Sequence, residues 1–419
     1  LLERELPRAV PIAITGLSAW TPYGRGTEAL LQALRDGRSD AAIVSGMHVS
    51  IDDPWYYARY ARQVLPEPTI RTTDSNQVRE VSIQDWPCEM AVESAWDAVI
   101  DADYPQRRYA ARRIAVCNGT SHGSNHGLLE YLQQSLTRHP DPLLIADSAA
   151  IVARRIAQRV GALGSNLTFN TACSSGLNAL GQGLRLLRNG RADCVIAGAQ
   201  DTFSALSLVG FSSLKALDGA PCRPFDLQRA GLTLADAAAY TVLERLPDAL
   251  ARGRQPLALL TGYGYIGEAH HATAPDPAGD GVFRGMLAAL ADEGGEASAD
   301  LDFVAAHGTG TPANDEAELK AVERCVAQLG LERAVDVVSF KSQLGHALGA
   351  AGSSQVVATV LAMRAGIVPG NIGLLQPLPH SERLNLPSAP RAAEISMAIC
   401  NGLGFGGSMA AVCLRKHPR

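Results

Sequence analysis

The chain carries one structural layout twice. Phe169-Asn170-Thr171-Ala172-Cys173-Ser174-Ser175-Gly176 and Phe340-Lys341-Ser342-Gln343-Leu344-Gly345-His346 share one order: an apolar strand, a turn of small residues, then a small-residue helical pattern. That helix runs from residue 177 in the first copy and over 347–363 in the second. Each copy also ends on an apolar strand, at 239–243 and at 410–414. A repeated unit constrains the fold more than any single element, because each copy must fit the same architecture and pack against the other. The stretch Leu250-Ala251-Arg252-Gly253-Arg254-Gln255-Pro256 is the natural break. It divides the chain into residues 1–257 and 258–419, chemistry being shared between two halves that meet face to face.

Within each half, short apolar runs alternate with helical patterns. A strand at 12–15 stops at Gly16, and a helix spans 27–34 before Gly37. A helix at 90–100 precedes a strand at 114–117, and the helix at 177–188 leads to another strand at 193–198. This order is α/β, with buried parallel or mixed sheets. The 419 residues are 47% hydrophobic, enough for a large core, yet only 5% aromatic with 40 glycines, which favours tightly packed layers over an aromatic-rich β sandwich. Residues 48–84, rich in Tyr, Pro and Arg, read as a long surface excursion.

Charge and cysteine usage narrow the function classes. The net charge of −5 is spread out, and no basic stripe with interleaved aromatics is present, so no nucleic-acid partner is expected. No run approaches the ~18 consecutive apolar residues of a membrane helix. The first residues lack the shape of a signal peptide, so a cytoplasmic location is expected. Eight scattered cysteines form no CxxC pair and read as reduced, mostly buried thiols rather than a disulfide scaffold or a metal site.

One of these thiols stands apart. Cys173 lies in TACSSG (171–176), between an apolar run and the start of a helix. Unsatisfied N–H groups and the dipole at a helix N-terminus are expected to lower its pKa and favour the nucleophilic thiolate. Small neighbours would let an acyl thioester approach. His307 ends an apolar strand and begins HGTGTPANDEAE (307–318), where functional side chains gather at strand ends. His346 sits in KSQLGHALGAAG (341–352), among residues small enough to leave its ring facing a cavity. Either histidine alone could be a satisfied core residue. Two in Gly-rich turns alongside Cys173 point to acyl-thioester chemistry. Lys341, in a mostly apolar segment, needs a buried partner, and Glu318 is the candidate. The glycine loop GLGFGGS (402–408) lacks the Lys and Ser/Thr ending of a phosphate loop and suits backbone N–H donation to an oxyanion.

With these motifs in order, the chain resembles the elongating β-ketoacyl-acyl carrier protein synthases, the ketosynthases of thiolase-like fold. The likeness spans nearly the whole chain: Ile14-Thr15-Gly16 with Thr21-Pro22, then TACSSG, Cys222-Arg223-Pro224-Phe225-Asp226, Ala269-His270-His271-Ala272-Thr273-Ala274-Pro275, and the three later motifs. It implies a duplicated five-layer αβαβα architecture. It implies Cys173 as the acyl-accepting nucleophile and His307 with His346 as the pair supporting malonyl decarboxylation. Lys341 with Glu318 would order that pair. The backbone N–H groups of Cys173 and Phe405 would form the oxyanion hole, with the Phe405 ring as a gate. Thr309 and Thr311 would bind phosphopantetheine, an arm carried by the acyl carrier protein, so no cofactor of the chain's own is implied. The resemblance also implies a dimer formed through the strand near 167–170, with an identical chain or with a chain-length-factor-like subunit.

The pattern departs from the family in three places. Gly231-Leu232-Thr233-Leu234-Ala235-Asp236-Ala237-Ala238-Ala239 replaces a glycine-rich stretch. Residues 52–87, including Trp55-Tyr56-Tyr57, and the turn Cys117-Asn118-Gly119-Thr120-Ser121-His122-Gly123 differ from primary fatty-acid members. A specialised type II polyketide or polyene pathway is therefore expected at least as readily as fatty-acid synthesis. Other readings are a thiol-dependent acyltransferase of the same fold and a non-catalytic chain-length partner. The retained histidines weigh against the first and the retained cysteine against the second. A degradative thiolase would need a second cysteine in the C-terminal glycine loop, which holds none.

Overall fold

In the computed structural model the described residues are 10–39, 42–43, 60–62, 86–123, 135–136, 149–202, 204–294 and 300–417. Ten strands carry the architecture. The first half supplies β1 (Ile12–Thr21), β2 (Ile114–Gly119), β3 (Asn166–Phe169), β4 (Cys194–Asp201) and β5 (Ala237–Arg245). The second supplies β6 (Ala258–Gly267), β7 (Leu301–Ala305), β8 (Val335–Val338), β9 (Met397–Gly404) and β10 (Ser408–Arg415). Across the sheet the first five lie in the order β1-β5-β4-β2-β3 and the second five in the order β6-β10-β9-β7-β8. Counted from its own first strand, each half therefore has the same strand order. Directions match as well. The first and last strands of each half pair antiparallel, as do the last and fourth, while the remaining pairings are parallel. The halves join through β1 and β6, antiparallel, with Ile12 opposite Leu260 and Ile14 opposite Ala258.

Side-chain alternation along these strands makes the layers. Ile114 and Val116 of β2 pack outward against α2 (Trp86–Asp101) and α3 (Ala149–Val160). Ala115 and Cys117 point the other way, into a central core shared with α1 (Thr27–Asp36), α4 (Ser175–Arg188) and α8 (Ala351–Ala365). On β10, Ala410, Val412 and Leu414 enter that central core. Met409, Ala411 and Cys413 face the opposite outer core, built with α6 (Asp280–Glu293) and α7 (Pro312–Gln328). The result is αβαβα, the fold expected from the sequence. A further helix, α5 (Ala205–Ser213), follows β4.

The central helices touch through glycine. A Cβ on Gly176 would lie 2.7 Å from Ser353 N, and one on Gly352 would lie 2.7 Å from Leu177 Cγ. Every residue of α8 from Ala351 to Val360 is buried, so its sequence shows no polar face for periodicity to detect.

Three local expectations change. Gly16 does not end β1, which continues through it with a register shift between Ile14 and Gly16. A Cβ there would sit 2.2 Å from Ala98 O, so the glycine serves close packing of α2 on the strand. The second-copy helix begins at Ala351 rather than 347, because Lys341–Leu344 forms its own short helix and Leu348–Ala350 a 3-10 turn. Of the excursion at 48–84, only Tyr60–Arg62 is described, as a strand pairing with Leu234–Ala235. Trp55, Tyr56 and Tyr57 lie outside the described residues. No helix among the described residues is long and apolar enough to cross a membrane.

Candidate active site

Cys173 follows β3 by four residues and stands just before α4, whose N-cap is Ser174. The turn is tight. Ala172 has φ 51°, a left-handed conformation that a non-glycine residue holds only when its surroundings require it. Here Ser175 Oγ donates to Ala172 O at 2.6 Å and accepts from Thr171 N at 2.9 Å. Ser174 Oγ donates to Thr171 O at 2.8 Å and contacts Ser408 Oγ at 2.7 Å, tying the turn to β10. Burial pushes the Cys173 thiol up to about 12, against the pull of Lys341 and the residue's own N–H, while the charge of Asp201 adds to the rise. The lowered pKa expected from the helix N-terminus is thus outweighed by desolvation.

His307 leaves the end of β7, and its neighbours are fixed by Glu318 on α7. Glu318 is fully buried and accepts from His307 N and Gly308 N, each at 2.7 Å, and from Asn401 Nδ2 at 3.3 Å. Lys341 Nζ lies 3.4 Å from His307 Nδ1 and donates to His307 O. The Lys341–Glu318 relation expected from the sequence is therefore expressed through His307, with the carboxylate's charge also supporting the ammonium. Burial lowers Lys341 to about 8 despite that support.

His346 is held by backbone on both sides. Its N–H donates to Thr233 O at 2.7 Å, its carbonyl accepts from Ala235 N at 3.0 Å, and its Nδ1 accepts from Leu348 N at 3.0 Å. The altered stretch at 231–239 thus supplies the rung that positions this ring. Acceptance at Nδ1 assigns the proton of the neutral imidazole to Nε2. The two rings stand edge to face, 5.4 Å apart at 86°. Burial, reinforced by Lys341, holds both histidines well below 6.5, so both are neutral near pH 7 and each carries one ring N–H.

These groups meet in one place. A cavity of about 310 Å³ is lined by Cys173, His307, His346, Thr309, Thr311 and Phe405, among others. The hydroxyls of Thr309 and Thr311 lie 2.8 Å apart. Phe405 packs on Phe211 of α5 with ring centroids 5.6 Å apart, and beyond this pair a second cavity of about 500 Å³ also reaches Cys173. A Cβ on Gly404 would lie 2.6 Å from Thr171 O, so glycine lets the Phe405 backbone come against the turn that carries Cys173. Gly406 N donates to Ala272 O at 2.7 Å, which anchors the Phe405 loop to the cavity mouth at His271–Pro275.

Several contributors were not singled out from the sequence. Asp201, buried at the end of β4, accepts from Thr120 Oγ1, Ser121 N, His122 N and Gly349 N at 2.7–3.1 Å and so clasps the two halves beside Cys173. Asp315 accepts from Phe225 N at 2.8 Å and Gly310 N at 3.2 Å, which makes the CRPFD motif a brace for the His307 loop. Tyr263 OH donates to Asn178 Oδ1 at 2.7 Å, and Asn178 Nδ2 donates to Thr171 Oγ1 at 2.7 Å. A polar residue on each strand end or helix has no distinctive sequence neighbourhood. Phe211 carries no motif either.

Known proteins resemble this chain along nearly its whole length. Residues 9–249 match the family model for the β-ketoacyl synthase N-terminal domain, and residues 257–375 match that for the C-terminal domain. The 3-oxoacyl-[acyl-carrier-protein] synthase 2 of Synechocystis sp. is 31% identical over 97% of this chain and 98% of its own length. The tetracenomycin polyketide synthase ketoacyl synthase alpha subunit of Streptomyces glaucescens is 32% identical, with 97% of each chain covered. Among solved structures, the ishigamide ketosynthase/chain length factor superposes with a TM-score of 0.87 at 30% identity, over 98% of this chain and 100% of that one. A type II PKS acyl-carrier protein in complex with its ketosynthase bound to the hexaketide shares the fold, with a TM-score of 0.85 at 24% identity over 98% and 100% of the two chains.

Proposed function

The chain belongs to the β-ketoacyl synthase family, and on that footing we propose that it joins a Cys173-bound acyl chain to malonyl-acyl carrier protein by decarboxylative Claisen condensation. The observation that carries this reading is the single cavity shared by Cys173, His307 and His346.

The reaction runs in two halves. In the first, the Cys173 sulfur attacks the thioester of an acyl-carrier. The carrier's thiol departs with the proton that burial has kept on Cys173. The N–H groups of Cys173 and Phe405 receive the oxyanion that forms on the way. In the second half, malonyl-carrier enters along Thr309 and Thr311, which bind its phosphopantetheine arm. The Nε2–H groups of His307 and His346 donate to the thioester oxygen as carbon dioxide leaves, and negative charge gathers on that oxygen. The resulting enolate carbon attacks the acyl carbonyl on Cys173. Sγ leaves and takes up a proton, and β-ketoacyl-carrier is released. Lys341 orders His307 from behind, and Glu318 orders the backbone ahead of it. The chemistry calls for no cofactor of the enzyme's own.

The partners are an acyl carrier protein and a second subunit of the same fold, identical or chain-length-factor-like. Strand β3 supports the latter, since it is the terminal strand of its half. Its Leu167, Thr168 and Phe169 are only half-buried. Relatives in both fatty-acid and polyketide synthesis match at about the same identity, and we place this chain in a specialised polyketide or fatty-acid pathway. Its described cysteines are all free thiols, which suits a reducing cytoplasm.

Incubation with an acyl-carrier and malonyl-carrier tests the reading. Intact-protein mass spectrometry should find the acyl group on Cys173, and carbon dioxide release should match β-ketoacyl-carrier formed. Acyl transfer to an amine or alcohol without carbon dioxide would identify a simple acyltransferase instead.

A further inference from the structure

Thr171 stands two residues before Cys173 and touches both sides of the proposed oxyanion site. Its carbonyl accepts from Ser174 Oγ at 2.8 Å, within the turn that carries Cys173. A Cβ on Gly404 would meet that carbonyl at 2.6 Å and Cys173 N at 3.4 Å, so the backbone leading to Phe405 is laid against the same two residues. Between Thr171 and Cys173 lies the left-handed Ala172, and strain of that kind persists only where neighbours over-determine it. Ser174 and Ser175 supply anchors from inside the turn.

Another anchor comes from the other half of the chain. Tyr263 on β6 donates its hydroxyl to Asn178 Oδ1 at 2.7 Å, and Asn178 Nδ2 on α4 donates to Thr171 Oγ1 at 2.7 Å. An amide offers an acceptor and a donor together, so Asn178 serves the tyrosine and the threonine at once. Both Asn178 and Tyr263 are buried. The sequence makes room for the link. A Cβ on Gly181 would lie 2.2 Å from Tyr263 Cδ2, so glycine is what admits the ring onto α4. Arg185, one turn further on, holds its Cζ 4.8 Å from the ring centroid.

We infer that Asn178 and Tyr263 are positioning residues that set Thr171, and through it the spacing of the Cys173 and Phe405 N–H groups. The inference rests on the proposed condensation and adds two residues to its acyl-transfer steps. Carbon dioxide loss draws on His307 and His346 instead, which are held by Glu318, Lys341 and the backbone of Thr233, Ala235 and Leu348. The link therefore bears on attack at the acyl carbonyl and not on decarboxylation.

Three readouts of the full chain test it. Single-turnover loading of Cys173 by octanoyl-N-acetylcysteamine, followed by intact-protein mass spectrometry, passes through the oxyanion. Iodoacetamide alkylation of Cys173 does not, and carbon dioxide release from malonyl-carrier reports the histidines. Tyr263→Phe and Asn178→Ala should each load octanoate about tenfold slower, less than the roughly 10²–10³ that loss of a whole oxyanion donor costs. Alkylation and carbon dioxide release should stay near the parent rates. The double variant should load no slower than Asn178→Ala, because both bonds belong to one link. Thr171→Val breaks that link from its far end and should reproduce the defect, which keeps the test decisive if Asn178→Ala does not fold. Loading at the parent rate in Tyr263→Phe and Thr171→Val overturns the inference. So does a fall of all three readouts together, the mark of general loosening. A parent that neither loads octanoate nor releases carbon dioxide overturns the proposed condensation, whereas a parent that does both, beside variants that match it, sinks this inference alone.

Discussion

Lys341 reaches His307 at two points, its Nζ lying 3.4 Å from the ring Nδ1 and donating to the backbone carbonyl of the same residue. The charged ammonium holds Nδ1 as an acceptor, which leaves Nε2–H free to face the cavity. Lys341 titrates at about 8 in the fold, below its ordinary 10.5, so the site loses this charge as pH rises through about 8. Malonyl-carrier decarboxylation should therefore fall on the alkaline side with an apparent pKa near 8. Lys341→Met should give a uniformly low rate with that inflection absent. A pH–rate profile of both proteins, taken where each remains folded, checks the assignment.

Replacing Cys173, the proposed nucleophile, should separate the two half-reactions. Cys173→Ala should form no acyl adduct and no condensation product, yet unfold within about 1 kcal/mol of the parent, since it deletes one sulfur. His307→Ala and His346→Ala should still load an acyl group on Cys173. Their decarboxylation should drop by roughly 10²–10³, the usual cost of a lost oxyanion donor. Mass spectrometry of the adduct and carbon dioxide capture read the two steps independently. Loss of loading in both histidine variants, with decarboxylation intact, would contradict the roles assigned.

Asp201 offers a test of how the halves are held. It accepts from Thr120, Ser121 and His122 in one half and from Gly349 in the other. Asp201→Ala should cost about 3 kcal/mol by stranding these buried donors. It should also slow acyl loading, because the turn beside Cys173 loses its anchor. Asp201→Asn keeps one accepting oxygen and should fall between. Denaturant midpoints paired with loading rates measure both effects.

The glycine contact between the central helices makes a sharper packing prediction. Gly176→Ala places a methyl 2.7 Å from Ser353 N, and a backbone atom can yield only if α4 or α8 moves. Destabilisation of about 2 kcal/mol is expected, together with slower acylation, because Cys173 stands just before α4. Gly219→Ala is the control. A Cβ there has no heavy atom within 4 Å, and thermal unfolding should be nearly unchanged.

The repeat and the convergence of Cys173, His307 and His346 on one cavity were legible because each sits in a short run of small residues, and small residues mark places where backbone or substrate must come close. Cys173 and His346 occupy matching turns of the two copies, so the duplication itself pointed to a shared site. Roles for Phe405, Thr309 and Thr311 came only through family resemblance. What stayed hidden depended on distance through the fold. Gly16 looked like a strand end because the proximity of α2 to β1 leaves no local trace. Asp201 resembled any acid closing a strand, and its four donors come from segments 79–148 residues away. The Cys173 thiol was expected to ionise readily from its helix position, yet burial, a property of the assembled layers, pushes it up instead.

Cys173 opens onto two chambers divided by the Phe211–Phe405 ring pair, and this gives the sulfur a sense of direction. An electrophile's route becomes visible in its shape. A compact haloacetamide can arrive from either chamber, while a long rigid one fits only where its tail can lie. Alkylation rates across a graded series of such reagents would then report how often the rings part, turning the thiol into a clock for the partition beside it.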